Sequence, residues 1–365
     1  MADALLETAI ANWAPRLCAN GVDVSDYLDV TRALERWDDW CDAWCTRAQA
    51  HLSLAETALD EERWRSAGEA LARAATYFHF SQFLFVHDPA RQRDAHVRAV
   101  DALRRALAHL DPPGTIVRVP FAGQHLVGVL RTPPGPGPHP VVMLIAGLDS
   151  AKEEFRLVEE PFLSRGMGTF AFDGPGQGEL AEDLAIRADW EDVGRAVFDA
   201  LAARPEIDPQ RVGAWGVSLG GYYAARVAGA GLDLRGTISL SGPYDFAAAW
   251  PRLNPLTRRA FETHSHASST EDAARRATSL SLDGRTSAIT TPLLVIAGQR
   301  DQLFDWRDGE RLAREASGDT ALLLLADGNH GCANVVAQHR SLSADWMAQR
   351  MGLQPVSSLH SLTYL

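Results

Sequence analysis

One short segment restricts the fold of this chain more than any other, a glycine-rich turn around Ser218. The apolar run Arg211 to Trp215 leads into Gly-Val-Ser-Leu-Gly-Gly at 216–221, and a helix-forming run, Tyr222 to Ala230, follows directly. Between a strand and a helix, a G-x-S-x-G pattern is typical of a sharp turn with a strained serine, where glycines remove side chains that would collide. The pattern predicts a serine hydroxyl displayed at the carboxyl end of a strand, beside a helix N-terminus.

The sequence after Thr115 alternates short apolar runs with helical stretches. The predicted strands are 116–120, 127–131, 141–146, 168–172, 211–215, 236–240, 293–297 and 321–325. Strands that read as continuous apolar runs and alternate with helices form mostly parallel sheets covered on both faces. We therefore expect a doubly wound α/β domain over residues 113–365.

The first 112 residues have a different period. Apolar residues recur at helical spacing, and the clearest stripe is Trp64, Ala67, Leu71, Ala74 and Phe78. Long helices are predicted from Glu61 to about Val86 and from Ala90 to Leu110. The sequence Asp-Pro-Pro-Gly at 111–114 interrupts both kinds of periodicity, so we expect an all-helical N-terminal domain over residues 1–112.

A serine nucleophile needs a general base and an acid that orients it. In a sheet of this type the order along the chain is serine, acid, histidine. Asp301 follows the strand 293–297 and His330 follows the strand 321–325, so both lie on loops at carboxyl ends of strands. The sequence predicts catalytic roles for Ser218, Asp301 and His330. Asp245, after the strand 236–240, remains an alternative acid.

The predicted oxyanion hole consists of two main-chain N-H groups. One belongs to Leu219, directly after the serine, and the second to Leu148, after the strand 141–146. The charged run at 152–154 has two interpretations, a solvated helical turn or, for Lys152, a contact to substrate. The glycine-rich segment 173–179 lacks the spacing of a dinucleotide site and is interpreted as a structural turn.

Charge and composition exclude several classes of function. The net charge of -12 disfavours nucleic acids and anionic membranes as partners. No apolar run is long enough to span a bilayer, and the acidic N-terminus does not resemble a signal peptide, so we expect a cytoplasmic protein. Its four cysteines are expected to be reduced thiols. No metal or cofactor is expected; the expected partner is a small-molecule substrate, and a homodimer is left open.

Several motifs together carry a family resemblance. They are the segments 147–150, 152–154, 172–178, 216–221 and 329–331. In these segments the chain resembles the FrsA-like branch of the α/β hydrolases, and the likeness extends over nearly its whole length. The resemblance implies the α/β-hydrolase fold with a helical N-terminal cap domain over the site, and hydrolysis of a carbon-carbon bond in a ketone-bearing aromatic. It also implies an additional glutamate after the strand 236–240, which residues 246–250 lack.

Three functions are therefore weighed. The first is a carbon-carbon hydrolase acting on an aromatic or diketone-like substrate. The second is an esterase, thioesterase or cyclase acting on a bulky hydrophobic, polyketide-like substrate. The third, a non-catalytic binding protein on a hydrolase scaffold, is disfavoured by the intact serine, aspartate and histidine. The candidate substrate-binding residues are Asp149, Lys152, Asp245, Tyr77, Phe80, Phe83 and Trp250.

Overall fold

A single sheet organises the computed structural model, which describes residues 3–353. Its eight strands are β1 (Gly114–Phe121), β2 (Gln124–Arg131), β3 (His139–Ile145), β4 (Gly168–Phe172), β5 (Ile207–Val217), β6 (Leu234–Leu240), β7 (Leu293–Gly298) and β8 (Thr320–Leu325). They lie in the order β1-β2-β4-β3-β5-β6-β7-β8. β2 is antiparallel to β1 and β4, and all other neighbouring strands are parallel. The predicted mostly parallel α/β-hydrolase sheet is confirmed.

Helices account for the first part of the chain and cover the sheet. Those before β1 are α1 (Ala4–Ala19), α2 (Val24–Ala33), α3 (Trp40–Asp60), α4 (Trp64–Gln82) and α5 (Pro89–Ala106). Those within and after the sheet are α6 (Arg156–Leu163), α7 (Trp190–Ala202), α8 (Leu219–Ala228), α9 (Phe246–Ala249), α10 (Pro255–His264), α11 (Thr270–Ala277), α12 (Trp306–Glu315) and α13 (Arg340–Arg350). Within residues 3–353, no helix combines the length and hydrophobicity needed to cross a membrane.

The helix predicted from Glu61 to Val86 is shorter in the structure. Glu62 has a φ of 56°, which ends the preceding helix, so α4 begins only at Trp64. Trp64 itself is 51% exposed and stacks on His109, whereas the other four residues of the predicted stripe are buried. The apolar stripe is therefore real, but it begins one turn later than the sequence pattern indicated.

The hydrophobic core lies on both faces of the sheet. Alternate residues of β3 point to opposite faces, with Val141 and Met143 in one apolar cluster and Val142 and Leu144 in the other. The first cluster continues without a break into the helices before β1. The helical part and one face of the sheet thus share a core, which holds the helices in place above the sheet.

The parallel strands end at the same edge of the sheet, and their loops meet there. The loop after β3, called here the β3 loop (residues 146–154), contains Leu148. Ser218 follows β5, Asp301 comes after β7 and His330 after β8. The topology therefore brings together residues separated by more than a hundred positions in the chain.

Candidate active site

Ser218 lies at the turn between β5 and α8, in a backbone conformation that few residues adopt. Its φ is 59° and its ψ is -130°, and its main-chain N-H donates to Leu240 O at 2.8 Å. The flanking glycines are required by close packing. A Cβ atom at Gly216 would lie 2.0 Å from Gly220 O, and one at Gly220 would lie 2.3 Å from Ile145 O. The local sequence therefore holds the half-buried serine in its strained conformation.

His330 bridges Ser218 and Asp301. Its Nε2 lies 2.8 Å from Ser218 Oγ, and its Nδ1 lies 2.8 Å from Asp301 Oδ2. Asp301 is held in turn, because its Oδ1 accepts hydrogen bonds from the main-chain N-H groups of Leu303 and Phe304. With Nδ1-H bonded to the carboxylate, Nε2 is left as the acceptor for the hydroxyl proton. This arrangement can deprotonate Ser218 and stabilise the imidazolium that forms.

Asp245, the alternative acid, lies elsewhere. Its carboxylate accepts a hydrogen bond from Ala247 N at 3.0 Å and caps α9. No contact to His330 is present among the described residues, and the carboxylate bound to the imidazole is that of Asp301.

The β3 loop lies directly against the serine. A Cβ atom at Gly147 would lie 3.2 Å from Ser218 Cβ. Gln177 fixes this loop, since its Nε2 donates to the carbonyls of Ala146 and Gly147 at 2.7 and 2.8 Å. Among the hydrogen bonds of residues 3–353, none is donated by the main-chain N-H of Leu148 or Leu219. Neither amide therefore has an acceptor within the described residues, as the predicted oxyanion role requires.

The charged run at 152–154 is buried, so its interpretation as a solvated turn is wrong. Lys152 Nζ contacts the carboxylates of Asp173, Glu153 and Glu179 at 2.7, 2.7 and 2.9 Å. Burial would lower the pKa of Lys152, but the three carboxylates more than offset this effect and raise it. The ammonium group faces these three carboxylates, lines neither of the cavities at the site and connects the β3 loop to the 173–179 turn.

Two cavities meet at the β3 loop. The smaller, about 70 Å³, contains Ser218 and His330. The larger, about 760 Å³, lies between α4 and α5 on one side and the loops of the sheet on the other, with Leu148 and Gln177 in its wall. Asp149 and Ser150 line both cavities and stand between them.

Of the other proposed substrate-binding residues, only Phe83 and Asp149 reach these cavities. Tyr77 is fully buried and its hydroxyl contacts Asp26 at 2.7 Å inside the helical part. Phe80 packs edge-on against Phe83. The residues that line neither cavity are Tyr77, Phe80, Lys152, Asp245 and Trp250. Aromatic residues in the helical part were expected to cover a ligand, but most form its core.

Several residues at the site have no motif that would reveal them in the sequence. Arg16, Asn20 and Arg340 line the cavity of Ser218, and His79 and His264 line the larger one. Arg16 and Asn20 reach the site from the far end of the chain, and no local pattern predicts that α1 packs there. Among these residues of the site, Gln177 alone lies in a recognisable motif. That motif is the glycine-rich segment 173–179, interpreted from the sequence as a structural turn.

His339, in the wall of the smaller cavity, makes stability depend on pH. It is 2% exposed, its Nε2 lies 3.3 Å from Cys332 O, and burial lowers its pKa to about 4. Between the unfolded pKa of about 6.5 and pH 4, the unfolded chain binds a proton that the folded chain does not, so stability falls as pH falls, by about 1.4 kcal/mol per pH unit. We expect His339→Gln to lose this contribution to the pH dependence of stability.

The measurement compares urea unfolding of wild type and His339→Gln at pH 7 and pH 5. The loss of unfolding free energy on acidification should be smaller in the variant by about 2 kcal/mol. Equal losses in both proteins would show that His339 is not held neutral in the folded state.

The sheet, the serine turn and the His330 bridge define the class of this chain, a hydrolase of the α/β family. The FrsA-like esterase model matches residues 19–242, and the prolyl oligopeptidase family model matches residues 153–354. Within the class, the chain belongs to the FrsA-like family.

Its relatives include proteins that are named for their substrates. The chain is 33% identical to 2,6-dihydropseudooxynicotine hydrolase of Paenarthrobacter nicotinovorans, over 93% of this chain and 92% of that protein. A crystal structure of 2,6-dihydroxy-pseudo-oxynicotine hydrolase superposes with a TM-score of 0.86 at 32% identity, covering 93% and 96% of the two chains. The 20-hydroxy-prefusarin hydrolase FUS2 of Gibberella moniliformis is 32% identical over 62% of this chain and 57% of its own length.

Proposed function

We propose that this chain is a serine hydrolase that cleaves a carbon-carbon bond next to a carbonyl group in a bulky aromatic or diketone-like substrate. The observation that carries the proposal is the contact of His330 Nε2 with Ser218 Oγ at 2.8 Å, beside two free amides. The choice of a carbon-carbon bond is supported by the similarity to an oxynicotine hydrolase over nearly the whole of both chains.

The first step forms a tetrahedral adduct. His330 takes the proton of the Ser218 hydroxyl, and the oxygen attacks the substrate carbonyl. The negative charge that develops on the carbonyl oxygen is stabilised by the N-H groups of Leu148 and Leu219. Asp301 keeps the imidazole in the tautomer that accepts the proton and stabilises its positive charge.

The second step breaks the carbon-carbon bond. The electron pair of that bond goes to the departing carbon, and the imidazolium of His330 gives its proton to that carbon. The acyl group remains on Ser218 until a water, deprotonated by His330, releases it as a carboxylic acid. In the alternative route, water activated through His330 attacks the ketone directly, and the same groups then serve the bond cleavage.

The sizes of the two cavities support separate places for the two parts of the proposed substrate. About 70 Å³ around Ser218 accommodates little beyond the reacting carbonyl, whereas about 760 Å³ is ample for a ring and its substituents. The arginines of the larger cavity, Arg93 and Arg104, pair with Glu182 and Glu179 at 2.7 Å each. Burial lowers the pKa of His264 to about 4, so this imidazole is neutral at pH 7. We therefore expect the body of the substrate to be uncharged rather than carboxylated.

The choice of bond is tested with a matched pair of substrates, an aryl 1,3-diketone and the ester of the same shape. We expect kcat/KM for the diketone to exceed that for the ester by at least about tenfold. In deuterated water, the released carbon should carry one deuterium more than the same carbon of the unreacted diketone, because His330 delivers a solvent-derived proton there. Ser218→Ala serves as the control for uncatalysed decomposition of the diketone.

A specific observation keeps a second function in view. The family model that matches residues 19–242 is that of FrsA-like esterases, and 20-hydroxy-prefusarin hydrolase is among the relatives. An esterase, thioesterase or cyclase for a bulky hydrophobic substrate uses the same serine, histidine and oxyanion site. Rapid turnover of the ester together with an inert diketone would reject carbon-carbon cleavage in favour of this alternative.

A further inference from the structure

We infer that Arg16, near the end of α1, is a positioning residue for the oxyanion site: it fixes the β3 loop and neutralises the charge of Asp149 beside the Leu148 amide. The inference rests on the proposed function in that it takes Leu148 N-H as an oxyanion donor. It gives the N-terminal helix a role in the reaction, although no atom of that helix belongs to the reacting groups.

Arg16 binds two carboxylates of the β3 loop at once. Its Nε and Nη2 donate to the two oxygens of Glu154 at 2.7 Å each, and its Nη1 donates to Asp149 Oδ1 at 2.7 Å. The planar guanidinium group matches this geometry, and the phenyl rings of Phe80 and Phe83 pack against it. This one side chain therefore ties α1 to two separate positions of the β3 loop.

Glu154 is the buried anchor of this contact. Besides Arg16, it accepts hydrogen bonds from Ser150 Oγ at 2.6 Å and from Asn20 Nδ2, and it contacts His79 Nε2 at 3.2 Å. Burial would raise the pKa of Glu154, but the charge and hydrogen bonds of Arg16, assisted by His79, hold it well below its usual range. Glu154 is therefore ionised, and an ionised buried carboxylate requires its partners.

Asp149 is the residue whose charge matters for the reaction. It directly follows Leu148 and lines the cavity of Ser218. An unpaired carboxylate at this point would repel the negative charge that develops on the substrate oxygen. Paired with Arg16, it leaves the oxyanion site without this repulsion.

The same end of α1 also contacts the segment that follows His330. Arg340, the first residue of α13, donates from Nη1 to Ala19 O at 2.7 Å and from Nη2 to Asn20 Oδ1. Residues 16–20 therefore link the loop that contains the oxyanion donor to the chain that carries the base. This one short segment therefore contacts both sides of the reaction centre.

The test uses the full-length chain with four variants: Arg16→Met, Arg16→Lys, Asp149→Asn and the double variant Arg16→Met with Asp149→Asn. Activity is measured with p-nitrophenyl acetate, a small activated ester of which only the acetyl group has to enter the cavity of Ser218. The measured rate is divided by the concentration of active serine, which is determined by complete labelling with a fluorophosphonate probe. Misfolded protein, which is not labelled, is thereby excluded from kcat. Arg211→Met is the matched control, because Arg211 pairs with Asp208 at the opposite end of the strand that leads to Ser218.

We expect Arg16→Met to lower kcat by about 10- to 100-fold with KM changed by less than about threefold, and Arg16→Lys to lie between it and wild type. The double variant should regain at least about fivefold of the lost kcat, because removing the charge of Asp149 makes its neutralisation unnecessary. Arg211→Met should retain wild-type kcat.

Two results would overturn the inference: a folded Arg16→Met with wild-type kcat, or a double variant no faster than Arg16→Met. If Arg16→Met does not fold, Arg16→Lys is compared with the double variant Arg16→Lys with Asp149→Asn. The inference is then rejected if the effects of the two substitutions on kcat are purely additive. A wild type that is labelled but cleaves neither diketone nor ester contradicts the proposed function alone, and labelling rates then replace kcat. A wild type that is not labelled contradicts both.

Discussion

Ser218→Ala is expected to lower kcat by roughly four to six orders of magnitude, and His330→Ala by nearly as much. The two side chains share one proton, with 2.8 Å between Ser218 Oγ and His330 Nε2, so the loss of either removes the covalent step. Steady-state kinetics on the preferred substrate, with a sensitive product assay, measure the effect. The kcat of the double variant should be at most a few fold lower than that of either single variant.

Loss of structure must be separated from loss of chemistry in these variants. Ser218 has a positive φ, so alanine retains the same backbone strain and adds none. Urea unfolding of Ser218→Ala should therefore give a free energy within about 1 kcal/mol of wild type. Retention of more than about a tenth of the activity in either single variant would contradict the assignment of this pair.

Asp301→Asn is expected to lower kcat by roughly a thousand- to ten-thousand-fold. The main-chain amides of Leu303 and Phe304 keep the side-chain oxygen where it is, so the new amide NH₂ group would face His330 Nδ1. The imidazole would then accept at Nδ1 and carry its proton on Nε2, the wrong tautomer for deprotonating Ser218. Steady-state kinetics measured from pH 6 to pH 9 test this prediction.

Asp245→Asn is the matched control for that measurement. The change is chemically identical, and Asp245 follows β6, at the same edge of the sheet as Asp301. Its carboxylate caps α9, and asparagine also caps helices well, so kcat should stay within about threefold of wild type. A greater loss in Asp245→Asn than in Asp301→Asn would move the acid to Asp245.

The fold was predictable because its signals are local. Each of the eight strands contains an apolar run of limited length, and the turn at Ser218 has glycines where the backbone leaves no room for side chains. The positions of Asp301 and His330 follow from strand order alone, since parallel strands deliver their following loops to one edge. The distances between these residues are the additional information that the structure supplies.

The rest of the site depends on contacts between distant segments, which single-sequence patterns do not encode. Lys152 was expected either in water or against a substrate, and it is buried because Asp173 and Glu179, on another loop, neutralise it. Tyr77 was expected to contact the ligand, but its hydroxyl donates a hydrogen bond to Asp26 within the helical part. Arg16 carried no signal at all, because its two partners lie more than 130 residues away.

The apolar cluster that extends from the helices into β3 limits how such a chain can evolve by recombination. A recombination joint between residues 109 and 114 would separate residues that share one core, and each fragment would expose part of it to water. The helical part is thus not a module that evolution can exchange at low cost. New specificities in this lineage are expected to arise by substitutions in the walls of the larger cavity, while the junction between helices and sheet is retained as a unit.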